Sequence, residues 1–544
     1  MRVRRAVLTL LLVPFEMCLA ADQVHTESGI VEGVPSADAK IQIFKGVPFA
    51  APPVGRLRWQ PPMPAPSWSG VRKATEFGAR CMQGRIYEDM VFRDARPSED
   101  CLYLNVWTPA ASADARLPVM VWIYGGGFQA GSASEPRQDG ENLAKKRVVV
   151  VSFNYRLGIF GFFSYPELTN ESPHHASGNY GLLDQVAALE WVHKNIAAFG
   201  GDPNNVTAFG ESAGSISVSA QMASPLSRGL LKRAIGQSGA VFMLTPRTRS
   251  VAETEQTGDR FAKSLGASTL EALRAMSADQ LLTATVKDRT AQYRFWPNVD
   301  GYFFPERPSA IYAAGKQAHV PLLAGWNADE QDYSALLDKK APTQENYAAK
   351  VRKKYGSHAE DVLKLYPGES QKQVKESARD LAGDQFIAYS TWKWLDMQLA
   401  TGESPVYRYQ FGQAPPVPAG EPDRGAYHSA DIEYVLGTLD WKHLPWTADD
   451  RKLSDMMSSY WTNFAKTGNP NGPGLPEWPG YNKKDRYDVM HLHAGTLVDT
   501  VGRLTAISHS IPDASPDALR PRYELLDRTA HERAVQQDRN ALKR

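Results

Sequence analysis

The run Val206-Thr207-Ala208-Phe209-Gly210-Glu211-Ser212-Ala213-Gly214 constrains this chain more than any other feature. A short apolar stretch meets a G-x-S-x-G pentapeptide, and small residues able to start a helix follow to Ala220. A serine held between a strand and a helix in this pattern is a nucleophile elbow. The turn is so tight that side chains at the flanking glycine positions would clash. It projects the serine hydroxyl above the sheet edge, where the helix N-terminus offers N–H groups to a developing oxyanion. A hydroxyl is a weak nucleophile at neutral pH, so Ser212 needs a base, and the base needs an orienting acid.

The surrounding pattern supplies the sheet. Leu117 to Tyr124 and Arg147 to Asn154 read as buried strands. Gly181 to Ile196 reads as a helix, with Leu182, Val186, Leu189, Val192 and Ile196 on one face. Gly200 to Asn205 reads as a turn and Val206 to Phe209 as a short strand. Strand, helix, strand, turn and helix in this order predict an α/β fold with a mostly parallel, doubly wound central sheet flanked by helices. Beyond Thr245 the chain becomes more helical and charged, then returns to strands near Val320 to Ala324 and Val406 to Phe411. The intervening helices are expected to be insertions over the active site. The tail from Asp517 to Arg544 reads as a solvated terminal helix, its basic residues matched by acidic ones.

A second glycine cluster, Gly125-Gly126-Gly127, follows a predicted strand. Glycines there let the backbone approach a substrate carbonyl. A phosphate loop is the competing reading, but no Lys-Ser/Thr pair follows and no G-x-G-x-x-G is present.

Composition narrows the classes. The chain has 61 Lys+Arg against 60 Asp+Glu, a formal net charge of +1, which lacks the basic footprint of a nucleic-acid binder. Residues 1–21 have a basic start at Arg2, Arg4 and Arg5, an apolar run and a small-residue end, the layout of a signal peptide. That run is too short to span a bilayer, and no later segment is long and apolar enough, so stable membrane insertion is not expected. Export predicts a secreted or periplasmic protein, with residues 22–544 forming one domain. If Cys18 leaves with the signal, Cys81 and Cys101 remain as an even pair in an oxidising compartment; two buried free thiols are the alternative. His174-His175 and His491-x-His493 lack a convincing third ligand and read as surface loops rather than metal sites. Asn170-Glu171-Ser172 and Asn205-Val206-Thr207 match the glycosylation acceptor pattern, the second running into a predicted strand.

At this point the chain resembles the type-B carboxylesterases, the cholinesterase-like group of the α/β-hydrolase superfamily. The resemblance covers nearly all of the chain after the signal. It rests on Gly46-Val47-Pro48-Phe49-Ala50, the Pro52 to Trp59 segment, Ser98 to Asn105, Phe153-Asn154-Tyr155-Arg156 and Gly178 to Asp184, besides the elbow. It implies that Cys101 is the far cysteine of a first disulfide loop, with Cys81 its partner. It implies a triad in the order Ser212, Glu330, His428. Glu330 matches the acid in Asn327-Ala328-Asp329-Glu330-Gln331, with Gln331 for the usual glycine; on the residues alone, Asp329 is the alternative acid. His428 matches the base in His428 to Val435, with Ser429 for glycine and Asp431 for glutamate. Gly126, Gly127 and Ala213 are implied as oxyanion donors. Glu211 would tune the field or make a supporting hydrogen bond. Ser238 matches a serine supporting the acid, or is a buried polar residue.

The expected function is serine carboxylesterase chemistry through an acyl-enzyme, on a small-molecule ester and with no cofactor or metal. Amidase or thioesterase chemistry on the same triad, or a non-catalytic binding or adhesion role, are the alternatives. The Cys81 to Cys101 segment carries no Trp, unlike cholinesterases, so choline esters are disfavoured. Its many charges also disfavour an interfacial lid. Tyr293 and Phe295 lie near the family's acyl-pocket region. Arg294 between them reads as a structural ion pair, with contact to an anionic acyl group as the alternative. The oligomeric state is not legible.

Overall fold

The computed structural model describes residues 23–244, 248–287, 294–338, 340–482, 487–494 and 519–541. The proposed signal segment and Tyr293 lie outside the described residues.

A ten-stranded sheet organises the molecule. In chain order its strands are β1 (Val34–Pro35), β2 (Gln42–Pro48), β3 (Tyr103–Thr108), β4 (Leu117–Ile123), β5 (Val149–Phe153), β6 (Gly201–Glu211), β7 (Arg233–Gln237), β8 (Leu322–Asn327), β9 (Val406–Phe411) and β10 (Met490–Leu492). Across the sheet they run β1-β2-β3-β5-β4-β6-β7-β8-β9-β10. The pairs β1–β2, β2–β3 and β3–β5 are antiparallel; from β5 onward every pair is parallel.

Sequence explains the parallel half. All five residues of β5 and all six of β8 are buried, as strands covered on both faces must be. Burying each of Val149, Val150 and Val151 contributes about 1.5–3 kcal/mol. Helix α1 (Tyr180–Asn195) buries Leu182, Val186, Leu189 and Val192, as the spacing predicts. It passes into a 3-10 turn that ends at Gly200, φ +77°. Helix α2 (Ala213–Ala223) is buried throughout and packs on β6 and β7.

Two expectations need correction. Gly201 to Asn205 is not a free turn but the irregular start of β6. Gly201 pairs with Leu117 and Val206 with Val119, so the extra residues bulge between the two pairings. The C-terminal helix, α3 (Arg520–Ala541), is not simply solvated. Tyr523, Leu525 and Leu526 are buried, and the Tyr523 ring stacks on Trp392 and meets Trp326 edge-on. Its hydroxyl donates to Asp384 Oδ1 at 3.0 Å.

Cys81 and Cys101 form a disulfide. His174 is exposed and stacked on Tyr302, whereas His491 lies in the edge strand β10 rather than in a loop. Asn170 is exposed; Asn205 lies in β6, where its carbonyl accepts from Arg233. No helix among the described residues is long and apolar enough to cross a membrane.

Candidate active site

The site forms at the carboxyl ends of β6, β8 and β9, where open α/β sheets place their ligands. Ser212 follows β6 directly and takes φ +56°, ψ −121°, a strained conformation for a residue with a side chain. Its N–H donates to Gln237 O at 2.8 Å, which ties the turn to the end of β7. The flanking glycines are sterically required. A Cβ on Gly210 would stand 2.5 Å from Ile123 O, and one on Gly214 only 1.9 Å from the same oxygen.

Glu330 sits three residues beyond the end of β8, and His428 sits in the loop after β9. His428 Nε2 lies 2.9 Å from Ser212 Oγ, and its Nδ1 lies 2.5 Å from Glu330 Oε2. The other Glu330 oxygen accepts from Ser238 Oγ at 2.5 Å and from Asn327 N at 2.7 Å. The structure thus brings Ser212, Glu330, His428 and Ser238 into one hydrogen-bonded chain. Asp329 stands elsewhere. It pairs with Arg379 at 2.8 Å and accepts from Ala426 N at 2.8 Å, so it ties the Glu330 loop to the His428 loop.

The two departures beside His428 have local surroundings that hold them. Ser429 takes φ +71°, a conformation that glycine adopts without strain, and its hydroxyl lies 3.4 Å from Arg137 Nη1. Asp431 is fully buried and accepts from Gln237 Nε2 and Tyr409 Oη, each at 3.0 Å. Burial pushes its pKa up to about 6.

Glu211 is buried with Oε1 3.2 Å from His428 Nε2. Burial raises its pKa. For His428, burial draws the pKa down, but the facing carboxylates of Glu211 and Glu330 outweigh that and raise it.

Gly125 packs on the elbow, since a Cβ there would lie 2.9 Å from Ser212 Cβ. Gly126 and Gly127 follow at φ +107° and +62°. Among the described residues, the N–H groups of Gly126, Gly127 and Ala213 donate to no protein acceptor.

Several contacts around the site were not legible in the sequence. Asp384 to Ala388 forms a π-helical turn that sets the Phe386 ring edge-on to the His428 imidazole, 4.9 Å between centroids. Arg137 is buried against Glu135 at 2.6 Å, with Asp89 at 3.6 Å. Arg294 forms no ion pair with a carboxylate among the described residues, which overturns the structural ion pair expected for it. It lies instead over Trp296, 4.6 Å from the ring centroid. No local pattern announces any of these contacts, because each joins segments far apart in the chain.

A positive-φ serine between a parallel strand and a helix, hydrogen-bonded to a histidine held by a glutamate from later strand ends, defines an α/β-hydrolase. The chain belongs to the carboxylesterase family, whose model matches residues 20–504. It is 39% identical to a fumonisin B1 esterase of Sphingopyxis macrogoltabida over 489 residues, 87% of each chain. It is 37% identical to a para-nitrobenzyl esterase of Bacillus subtilis (strain 168), covering 86% of this chain and 94% of that one. A solved PNB esterase structure superposes with a TM-score of 0.74 at 36% identity, covering 86% of this chain and 95% of the other. These relationships make the protein a carboxylic ester hydrolase.

Proposed function

We propose that Ser212, His428 and Glu330 hydrolyse a small-molecule carboxylic ester through an acyl-enzyme. The observation that carries this reading is the unbroken relay from Ser212 Oγ through His428 to Glu330, with contacts of 2.9 and 2.5 Å.

His428 Nε2 takes the hydroxyl proton as Ser212 Oγ attacks the ester carbonyl. Glu330 holds the imidazole in the required tautomer and stabilises its charged form. The unused N–H groups of Gly126, Gly127 and Ala213 are the donors for the oxyanion, each worth about 10²–10³ in rate. The C–O bond then breaks, and the alkoxide leaves with the proton from His428. Water, deprotonated by the same imidazole, attacks the acyl-enzyme; the acyl bond to Ser212 Oγ breaks, His428 returns the proton to that oxygen, and the carboxylic acid departs. Ser238 and Asn327 N hold Glu330 in place.

A relative named for a para-nitrobenzyl ester supports an aromatic, non-choline alcohol group. The basic, apolar and small-residue order of residues 1–21 supports export to the periplasm or the medium.

The test is active-site labelling. A fluorophosphonate should add once per chain, and peptide mass spectrometry should place the adduct on Ser212. Full labelling of the Ser212→Ala variant, or an adduct elsewhere, would overturn the assignment.

A further inference from the structure

We propose that Arg294 and Tyr87 form a subsite for a carboxylate carried by the ester itself, so that hemiesters of dicarboxylic acids are the favoured substrate class. This rests on the reading of Ser212 as the nucleophile.

The two side chains converge on one point beside the glycine loop. From the position a Cβ on Gly127 would take, Tyr87 Oη lies 3.2 Å away and Arg294 Nη2 3.5 Å. That point is one C–C bond, about 1.5 Å, from the Gly127 Cα. Both donors therefore stand over the face of Gly127, where a larger side chain would crowd them. Among the described residues, neither the Tyr87 hydroxyl nor the Arg294 guanidinium hydrogen-bonds to protein.

The neighbouring carboxylates are engaged elsewhere. Asp89 lies 3.6 Å from Arg137, and Glu211 faces His428. Arg294 is therefore an unmatched cation near the oxyanion loop. It is open to solvent, yet desolvation still lowers its pKa.

Its position is built rather than incidental. The guanidinium lies over Trp296, and Trp296 meets Phe128 edge-on at 4.9 Å. Gln129 Nε2 donates to Phe295 O at 3.1 Å, pinning the segment to the glycine loop. A planar guanidinium and a phenol together offer donors that suit a carboxylate. A charge-assisted contact of this kind changes affinity by about 10- to 100-fold.

Binding is tested apart from turnover. Monomethyl glutarate and dimethyl glutarate are titrated by calorimetry into Ser212→Ala and into the Ser212→Ala/Arg294→Gln double variant. The hemiester is expected to bind Ser212→Ala about 10-fold or more tightly than the diester, weakening as salt rises. Arg294→Gln should remove that preference, and Tyr87→Phe should reduce it. Equal affinity for the two esters, or a preference that survives Arg294→Gln, would overturn the subsite.

Turnover by the wild-type chain then locates the anion. Faster cleavage of monomethyl glutarate than of dimethyl glutarate places it on the acyl side. Turnover of both glutarate esters at equal kcat/KM would contradict the subsite. Hemiester binding without turnover of any ester would leave the subsite standing and instead contradict the role given to Ser212.

Discussion

Glu211 Oε1 lies 3.2 Å from His428 Nε2, the same nitrogen that faces Ser212 Oγ at 2.9 Å. The imidazole is thus held between two carboxylates, Glu330 on Nδ1 and Glu211 on Nε2. Both raise its pKa. In the proposed mechanism only the neutral imidazole accepts the serine proton, so activity is expected to rise as pH climbs through this pKa.

Glu211→Gln removes one of the charges that raise this pKa. The His428 pKa falls, and the ascending limb of the kcat/KM profile moves to lower pH by about one unit or more. A pH profile with p-nitrophenyl acetate checks this. An unmoved limb, or one moved upward, would contradict the role given to Glu211.

Ser238→Ala removes the 2.5 Å hydrogen bond to Glu330 and leaves only Asn327 N on that oxygen. A hydrogen bond to a buried carboxylate is worth about 1.5–3 kcal/mol. If most of it serves to aim His428, kcat falls about 10-fold or more with little change in KM. Unchanged kcat with lowered thermal stability would make Ser238 a purely structural residue.

Ser429 sits at φ +71° beside the base. Ser429→Gly relieves the backbone strain but gives the unfolded chain more freedom, so the net gain is about 0.5–1 kcal/mol. Chemical denaturation measures it. A loss of stability would show that the contact between Ser429 and Arg137 outweighs the strain.

The parts of this site differ in how far sequence reaches them. Ser212 is legible from local chemistry, because the clashes at Gly210 and Gly214 are consequences of one turn. His428 is not, since nothing local separates it from the chain's other histidines; the motif resemblance singles it out, and the structure sets it beside Ser212. Asp329 and Glu330 are adjacent in sequence, and only the fold turns one toward His428 and the other toward Arg379. The C-terminal helix misleads because the buried Tyr523 and Leu526 stand among charged residues. Phe386 and Tyr87 reach the site from distant segments, so pattern reading has no period to detect, whereas Arg294 stands out in the sequence through its place beside the acyl-pocket region.

The hydrolysis of p-nitrophenyl acetate by purified wild type and Ser212→Ala tests the central claim most directly. Wild type is expected to turn over, and the variant to lose activity by about 10⁴-fold or more while keeping the wild-type melting temperature. Substantial residual turnover in a well-folded Ser212→Ala protein would contradict nucleophilic catalysis by Ser212.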